Sequence, residues 1–163
     1  MKKNLYIDFD GVILDTLSPM YEIIEKNNIT SDEEKEKVFK EYSWKELINN
    51  SPVIENSIEN IEKIINSDKF NLAILTHVHS IEEAVVKIKY LRKYFKDITI
   101  IPCPKEISKT KMVHTKDSIL IDDYAGNLRE WEKEGGIPVR FNLKGSGKGF
   151  LVIKNLKEII DLF

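Results

Sequence analysis

The sequence predicts an α/β fold with a mainly parallel sheet, in a single domain. Short apolar runs typical of buried strands alternate with segments whose apolar residues recur at helical spacing. The length of 163 residues is close to the ~150 residues of an average domain. One stretch departs from the alternation, because residues 18–68 are rich in Glu, Lys and Asn and have helical periodicity only. We interpret this stretch as a small helical insertion after the first strand, packed beside the sheet.

Five apolar runs are predicted to be strands because each is short and several are closed by polar residues or proline. The second run ends at Thr76, the third at Pro102 and the fourth at Asp122. The predicted strands are Asn4 to Phe9, Phe70 to Leu75, Ile98 to Ile101, Ser118 to Ile121 and Ile137 to Phe141. Helical segments between such strands are typical of parallel β-α-β units.

Three segments outside the insertion have helical patterns. Ser80-Ile81-Glu82-Glu83 is a capping-box sequence that begins one helix, and Gly135-Gly136 ends another that contains Leu128 and Trp131. The apolar face of the first helix is predicted to consist of Ile81, Ala84, Val85, Ile88 and Leu91. The C-terminal segment is predicted to be a docked helix with Ile153, Leu156, Ile159, Ile160 and Phe163 at helical spacing.

The composition restricts the class of protein. The 25 basic and 27 acidic residues leave a net charge of −2, which argues against binding to nucleic acid or to a membrane by charge. Cys103 is the only cysteine, so no intramolecular disulfide can form and a reducing, cytoplasmic setting is expected. Asp8 and Asp10 interrupt the first apolar stretch, so no signal peptide is expected. No apolar run approaches the ~20 residues of a membrane span.

Polar residues follow three of the predicted strands at the point where each strand ends. Asp8 and Asp10 close the first strand, Thr76 the second, and Asp122 and Asp123 the fourth. Ligands of an open parallel sheet bind beyond the carboxyl ends of its strands, so we expect these side chains to share one crevice. Four carboxylates there would repel one another unless a cation lay between them. Mg²⁺ accepts one or two carboxylates together with a substrate phosphate, so the pattern favours phosphoryl chemistry.

The same residues resemble the four motifs of the haloacid dehalogenase (HAD) superfamily of phosphatases, in the order in which that family has them. Asp8 to Thr16, with the sequence DFDGVILDT, resembles the first motif, and Thr76 resembles the second. Ser108-Lys109 resembles the third motif and Asp122-Asp123 the fourth. Ile119 to Trp131 is also similar to the 5'(3')-deoxyribonucleotidase-like branch.

This resemblance implies a particular division of the chain. Residues 1–17 and 69–163 would form a HAD-like catalytic core, a Rossmann-like parallel sheet flanked by helices. Residues 18–68 would form a small helical cap inserted after the first strand.

The resemblance also implies roles for the acidic residues. Asp8 would attack phosphorus, and Asp10 would protonate the leaving alkoxide and then activate water. The metal ligands would be Asp8, the backbone carbonyl of Asp10, and Asp123, with Asp122 a neighbour or a water-mediated ligand. Asp122 stands where many relatives have glycine, and Asn127 stands where many have a later acid.

Contacts to the phosphate are expected from Thr76 and Lys109. Thr76 would hydrogen-bond a phosphoryl oxygen and Lys109 would neutralise its charge, with Lys111 as the rival lysine. His77 is expected to contact the substrate or the loop backbone, and His79 to cap or pack nearby. A third nitrogen or sulfur ligand at a zinc-binding spacing is missing, which argues against a zinc site at the two histidines.

The sequence therefore predicts a Mg²⁺-dependent phosphomonoester hydrolase that acts on a small phosphorylated metabolite through a phospho-Asp8 intermediate. The deoxyribonucleotidase-like resemblance favours a nucleoside 5'-monophosphate, and Tyr21 is the aromatic residue of the insertion best suited to stack on its base. The alternatives are a sugar-phosphate or general small-molecule phosphatase of the same mechanism, a non-catalytic phosphate- or metal-binding module, and a protein that recognises phosphorylated chains. The sequence indicates no obligate protein partner.

Overall fold

A computed structural model describes all 163 residues. The strands are β1 (Lys3–Ile7), β2 (Phe70–Val78), β3 (Thr99–Pro104), β4 (Ile119–Asp122), β5 (Ile137–Phe141) and β6 (Leu151–Ile153). They form one sheet in the order β3-β2-β1-β4-β5-β6, and every neighbouring pair is parallel. The prediction of an α/β fold with a Rossmann-like parallel sheet is confirmed.

Seven α-helices accompany the sheet. They are α1 (Leu17–Lys26), α2 (Asp32–Glu41), α3 (Trp44–Asn50), α4 (Ser57–Ser67), α5 (Ile81–Arg92), α6 (Ala125–Lys133) and α7 (Ile159–Leu162). Helices α2, α3 and α5 each follow a serine, namely Ser31, Ser43 and Ser80, whose hydroxyl accepts a backbone N–H of the first turn. No helix of the protein combines the length and the apolar character that crossing a membrane requires.

The sheet is covered on both faces by apolar side chains. Alternation along β1 turns Leu5 and Ile7 toward a cluster of 25 buried residues, which includes Ile61 of α4. Tyr6 points to the opposite face, where it joins a cluster of seven buried residues with Trp131 of α6. This two-sided burial explains why the strands are mostly apolar, with polar residues such as Asn71 in β2 and Arg140 in β5 as exceptions.

The topology places a crevice beyond the carboxyl ends of β1 and β4. Strands β2 and β3 lie on one side of β1, whereas β4, β5 and β6 lie on the other. The connections therefore diverge between β1 and β4, which is the point where open parallel sheets bind ligands. The backbone N–H of Asp8 donates to the carbonyl of Ile121 at 2.9 Å, so Asp8 is aligned with the end of β4.

Two predictions at the sheet edges need correction. The C-terminal segment is not one helix, because Ile153 belongs to β6 and only Ile159–Leu162 is α-helical. Strand β3 continues through Pro102 to Pro104, which is possible because β3 is an edge strand and one side of its backbone needs no partner.

The predicted apolar face of α5 is wrong in part. Ile81 and Val85 are exposed, whereas Glu83 and Lys87 are fully buried together with Leu91. The helix therefore turns two charged residues toward the interior, where they meet other charged groups near the end of β2.

Candidate active site

Three carboxylates converge beyond β1 and β4, and a buried ammonium group contacts two of them. The carboxylate oxygens of Asp8, Asp122 and Asp123 lie within 4.8 Å of one another. Lys109 lies in a 3₁₀ turn, Lys109–Lys111, and its Nζ is 2.8 Å from Asp8 Oδ1 and 2.7 Å from Asp122 Oδ2. Only 2% of Lys109 is exposed, so its contacts compensate part of the charge of the cluster. Lys111, the rival lysine, points outward with an exposed side chain.

Burial and the proximity of the other carboxylates raise the pKa values of Asp8 and Asp123. Burial and then Asp122 raise the pKa of Asp8 to about 7, although Lys109 opposes the change. Burial, Asp8 and Asp122 together raise the pKa of Asp123 to about 9. For Lys109, burial lowers the pKa, but Asp122 and Asp8 raise it more, so it lies above its usual value. A group of oxygen donors with excess negative charge fits a hard divalent cation.

The two neighbouring acids of the fourth predicted motif have different surroundings. Asp122 is fully buried, and its oxygens accept from Lys109, from the Tyr124 backbone N–H at 2.9 Å and from Asn127 Nδ2 at 2.9 Å. Asp123 is partly exposed and lines a cavity. Asp123 is thus the acid of the pair with a carboxylate available to a ligand, whereas Asp122 orients Lys109 and the start of α6.

Gly11 allows the loop after β1 to pass close to the Asp123 carboxylate. Its backbone has a φ of +75°, and a Cβ at this position would lie 2.4 Å from Oδ2 of Asp123. Any other residue would therefore strain the loop and displace the Asp123 carboxylate.

Asp10 is held by residues from two other segments. Its Oδ1 accepts from the Thr16 hydroxyl at 2.6 Å, and its Oδ2 accepts from Lys87 Nζ at 2.6 Å. The Lys87 ammonium also donates to the Thr76 hydroxyl at 3.1 Å, to the His77 carbonyl at 3.0 Å and to Glu83. Burial lowers the pKa of Lys87, but Asp10 and Glu83 raise it more, so the ammonium stays charged.

The sequence contains a signal for Lys87 that sequence analysis missed. Lys87 stands three residues after Ala84 and four before Leu91, so it lies within the buried stripe of α5. A lysine in such a stripe needs a buried acid as a partner. Glu83, one turn earlier, is one such acid, and the other is Asp10.

Thr76 and His77, the predicted substrate contacts from the second strand, lie near the end of β2. Thr76 is fully buried, within the strand, and its hydroxyl contacts Lys87. His77 Nε2 lies 2.9 Å from the Ile107 carbonyl, so His77 contacts the loop backbone. Burial lowers the pKa of His77. His79 stacks on Phe39 at 4.8 Å between ring centroids.

A cavity of about 480 Å³ opens in front of the carboxylates, a volume in the range of small-molecule sites. Of the predicted residues, Asp8, Asp10, His77 and Asp123 line it, whereas Thr76, Lys109 and Asp122 lie behind them.

The rest of the cavity lining includes aromatic and basic side chains. The aromatic residues are Tyr21, Phe39 and Tyr124. Its basic lining is Lys105, Arg129, Arg140 and Lys148, none of which forms an ion pair with a carboxylate. The cavity therefore offers both aromatic surface and positive charge to a ligand.

The fold and the site define a Rossmann-like α/β protein with a carboxylate cluster at the switch point of its sheet, and the structural neighbours of this chain are HAD-superfamily hydrolases. A HAD-superfamily hydrolase of subfamily IA from Geobacter sulfurreducens is 17% identical, with a TM-score of 0.65 and full coverage of both chains. The HAD-hydrolase YfnB from Bacillus subtilis, solved bound to magnesium, is 13% identical, with a TM-score of 0.65 over 99% of this chain and 98% of that one. The D,D-heptose 1,7-bisphosphate phosphatase from B. bronchiseptica, solved with magnesium and phosphate, is 14% identical, with a TM-score of 0.60 over 99% and 97%.

No protein-family model and no curated protein matches the sequence. At these identities, 13–17%, the structural likeness establishes the fold, and the chemistry depends on the residues of this chain.

Asp123→Asn is expected to raise the unfolding temperature of the metal-free protein. It removes a carboxylate whose raised pKa, about 9, shows that its charge is unfavourable in the folded state at neutral pH. We expect the substitution to stabilise the folded state by about 1–2 kcal/mol. In a domain of this size each kcal/mol raises the unfolding temperature by roughly 2–4 °C, so the expected increase is about 2–8 °C. The measurement is thermal unfolding in EDTA and then in Mg²⁺, which should stabilise the wild type much more than the variant. An Asp123→Asn protein that is less stable than the wild type in EDTA would contradict this account of the cluster.

Proposed function

We propose that the protein is a Mg²⁺-dependent phosphomonoester hydrolase that acts through a phospho-Asp8 intermediate. The observation that carries this proposal is the convergence of Asp8, Asp122 and Asp123 within 4.8 Å, with Lys109 bound to the first two of them. The cluster lies at the switch point of the sheet and borders a cavity large enough for a small metabolite. The HAD-type fold supports it, since a phosphatase with this fold has been solved with magnesium and phosphate.

The donor set is suited to Mg²⁺, which binds carboxylate and carbonyl oxygens. Asp8, Asp123 and the backbone carbonyl of Asp10 would hold the ion. Asp122, whose oxygens are already hydrogen-bonded, would act as a neighbour or through a water molecule. When bound, the ion would neutralise charge on the oxygens of the substrate phosphate.

Asp8 and Asp10 would perform the chemistry in two steps. A carboxylate oxygen of Asp8 attacks phosphorus, the bond from phosphorus to the ester oxygen breaks, and Asp10 gives its proton to the leaving oxygen. Water then attacks the phosphorus of phospho-Asp8 while Asp10 accepts a proton, which releases phosphate and restores the Asp8 carboxylate. Lys109, 2.8 Å from Asp8, opposes the effect of burial and favours the charged nucleophile.

The same proposal assigns the phosphate contacts. Lys109 would balance charge where the phosphate meets Asp8. His77, which lines the cavity, would contact the substrate from the end of β2. The Thr76 hydroxyl, which is buried behind the lining and bonded to Lys87 and the His77 carbonyl, would turn toward the phosphate to bond a phosphoryl oxygen. These contacts would hold the phosphate beside Asp8 rather than move protons.

We propose a nucleoside 5'-monophosphate as the substrate, in a cytoplasmic setting. Tyr21 and Tyr124 line the cavity and are 58% and 61% exposed, so each offers aromatic surface for stacking on a base. Of the two, Tyr21 is the better candidate, because the Lys105 ammonium lies over the Tyr124 ring, 5.9 Å from its centroid. The basic residues of the cavity complement an anionic metabolite. Trp44, only 1% exposed, belongs to the core instead. The small helical cap would be residues 18–68, in which α1 and α2 contribute Tyr21 and Phe39 to the cavity, whereas α4 packs on the sheet through Ile61.

The test is phosphate release from a panel of phosphomonoesters, in Mg²⁺ and in EDTA. We expect release that EDTA abolishes, with a higher kcat/KM for nucleoside 5'-monophosphates than for sugar phosphates. Tyr21→Ala should raise KM for nucleotides and leave KM for glycerol phosphate unchanged, since only the nucleotide has a base to stack. A preference for sugar phosphates would instead favour the general phosphatase of the same mechanism. No release from any ester by folded protein with Mg²⁺ bound would favour a non-catalytic phosphate- or metal-binding module.

A further inference from the structure

The Asp10 carboxyl group has one charged partner, and that partner belongs to a different part of the fold. Lys87 comes from the middle of α5, 77 residues away in sequence, and donates to Asp10 Oδ2 at 2.6 Å. Its side chain is 1% exposed, against 17% for Asp10. Lys87 therefore approaches Asp10 from the interior and leaves the opposite side of the carboxyl group toward the cavity.

Lys87 is itself fixed from several directions. Its ammonium group has three protons and four acceptors: Asp10, Thr76, the His77 carbonyl and Glu83. Its Nζ also lies 5.3 Å from the centroid of Phe9 and 4.8 Å from that of Trp44. These contacts leave the ammonium group no alternative position.

Glu83, the second charged partner of Lys87, is fully buried and equally constrained. Its Oε1 accepts from the His79 backbone N–H at 2.8 Å and lies 2.9 Å from His79 Nδ1. The ring of His79 is held in turn by stacking on Phe39. Glu83 does not complete the capping box predicted from the sequence, because its carboxylate contacts His79 and Lys87 rather than the backbone of Ser80.

The stability of the fold does not explain this pair. A buried ion pair contributes little net stability, since the cost of removing two charges from water offsets their attraction. A leucine or methionine at both positions would satisfy the core of α5. The pair has one consequence that apolar residues could not provide, which is a fixed donor at the Asp10 carboxylate.

We propose that Lys87 and Glu83 are positioning residues that hold the Asp10 carboxyl group in the orientation needed for proton transfer to the leaving group. The inference rests on the proposed function, in which Asp10 transfers that proton. Without Lys87, the only side chain that donates to Asp10 is Thr16, on the same loop. A carboxyl group fixed at one oxygen alone would rotate away from the ester oxygen, and errors of about 1 Å in such a geometry cost ~10²-fold in rate.

The dependence on the leaving group distinguishes positioning from a structural role. An alkyl phosphate releases a strongly basic alkoxide that needs a proton, whereas p-nitrophenyl phosphate releases a stable phenolate that does not. The ratio kcat/KM reports the steps up to the breaking of the ester bond, before water attacks phospho-Asp8. Loss of Asp10 positioning should therefore reduce kcat/KM for the alkyl ester far more than for the aryl ester.

The variant to test is the double substitution Glu83→Gln with Lys87→Met. Removing both charges avoids a lone charge at Glu83 or Lys87, and Asp10, which loses its partner, is 17% exposed and keeps the Thr16 hydroxyl, so the protein is expected to fold. We expect kcat/KM for a preferred alkyl ester to fall by about 10²-fold and that for p-nitrophenyl phosphate by less than roughly tenfold. Lys89→Met, an exposed lysine on the same helix, is the matched control and should change neither value.

Each outcome has a distinct meaning. Equal losses with the two esters, or a larger loss with the aryl ester, would overturn the positioning role while leaving the proposed function intact. Wild-type protein that hydrolyses neither ester would contradict the proposed function, and this inference with it. If the double variant unfolds, Glu83→Gln alone is measured, since it keeps an acceptor for Lys87, and it must show the same leaving-group dependence on a smaller scale.

Discussion

Asp8→Asn is expected to reduce phosphate release below detection for every ester and to leave the fold intact. The amide cannot attack phosphorus, and loss of a nucleophile commonly costs on the order of 10⁴-fold or more in kcat. The amide oxygen can still accept from Lys109, which lies 2.8 Å from Asp8 Oδ1. Substitution also removes one of three mutually repelling carboxylates, so we expect an unfolding temperature equal to or above that of the wild type in EDTA. Phosphate release and thermal unfolding, measured on the same preparation, check both parts.

The control for Asp8→Asn is the same chemical change outside the site. Asp117 is exposed and has a φ of +60°, a conformation that asparagine adopts readily. Asp117→Asn should therefore retain full activity. Quenching wild-type turnover with borohydride should reduce phospho-Asp8 to homoserine, which mass spectrometry would locate at position 8. Full activity of Asp8→Asn, or no modification at position 8, would show that Asp8 is not the nucleophile.

The sequence predicts the position of the site better than the contacts within it. The strand ends that carry Asp8 and Asp123 are recognisable in the sequence as short apolar runs followed by acids. Both residues line the cavity of the structure. The lysines that contact the acids of the site are harder to recognise from the sequence. Lys109 was identified by resemblance, whereas Lys87 stands in a helix whose apolar spacing could be satisfied by Ile81 and Val85. A prediction from apolar spacing places every lysine on the solvent-facing side of a helix. A lysine can instead be buried when an acid in the interior pairs with it.

The sequence predicts most strands of the sheet, but it does not predict β6 or the full length of β2. The five longer strands are found because burial on both faces makes most of their residues apolar. Strand β6 was missed because Leu151–Ile153 is only three residues long and its Ile153 also fits the helical spacing of the terminal segment. Strand β2 runs to Val78, past the predicted end at Leu75, since its pairing with β3 continues to Pro104. That pairing depends on another strand, which local sequence does not reveal.

Lys109→Met is expected to cause the largest loss of stability. The substitution leaves Asp8 and Asp122, which are 6% and 0% exposed, without the ammonium that lies between them. Removing one partner of a buried ion pair costs about 3–5 kcal/mol, and each kcal/mol lowers the unfolding temperature by roughly 2–4 °C in a domain of this size. Thermal unfolding in EDTA measures the effect, and activity should be lost as well.

Two comparisons show whether the cause is the lost charge between Asp8 and Asp122. Lys111→Met lies in the same 3₁₀ turn, but Lys111 is 66% exposed and 3.9 Å from Glu134, so it should cost less than about 1 kcal/mol. Adding Asp122→Asn to Lys109→Met should recover part of the lost stability, because it removes one of the two stranded carboxylates. Mg²⁺ should raise the unfolding temperature of Lys109→Met more than that of the wild type, since more negative charge then faces the ion. Equal stability of Lys109→Met and Lys111→Met would contradict the central place of Lys109 in the cluster.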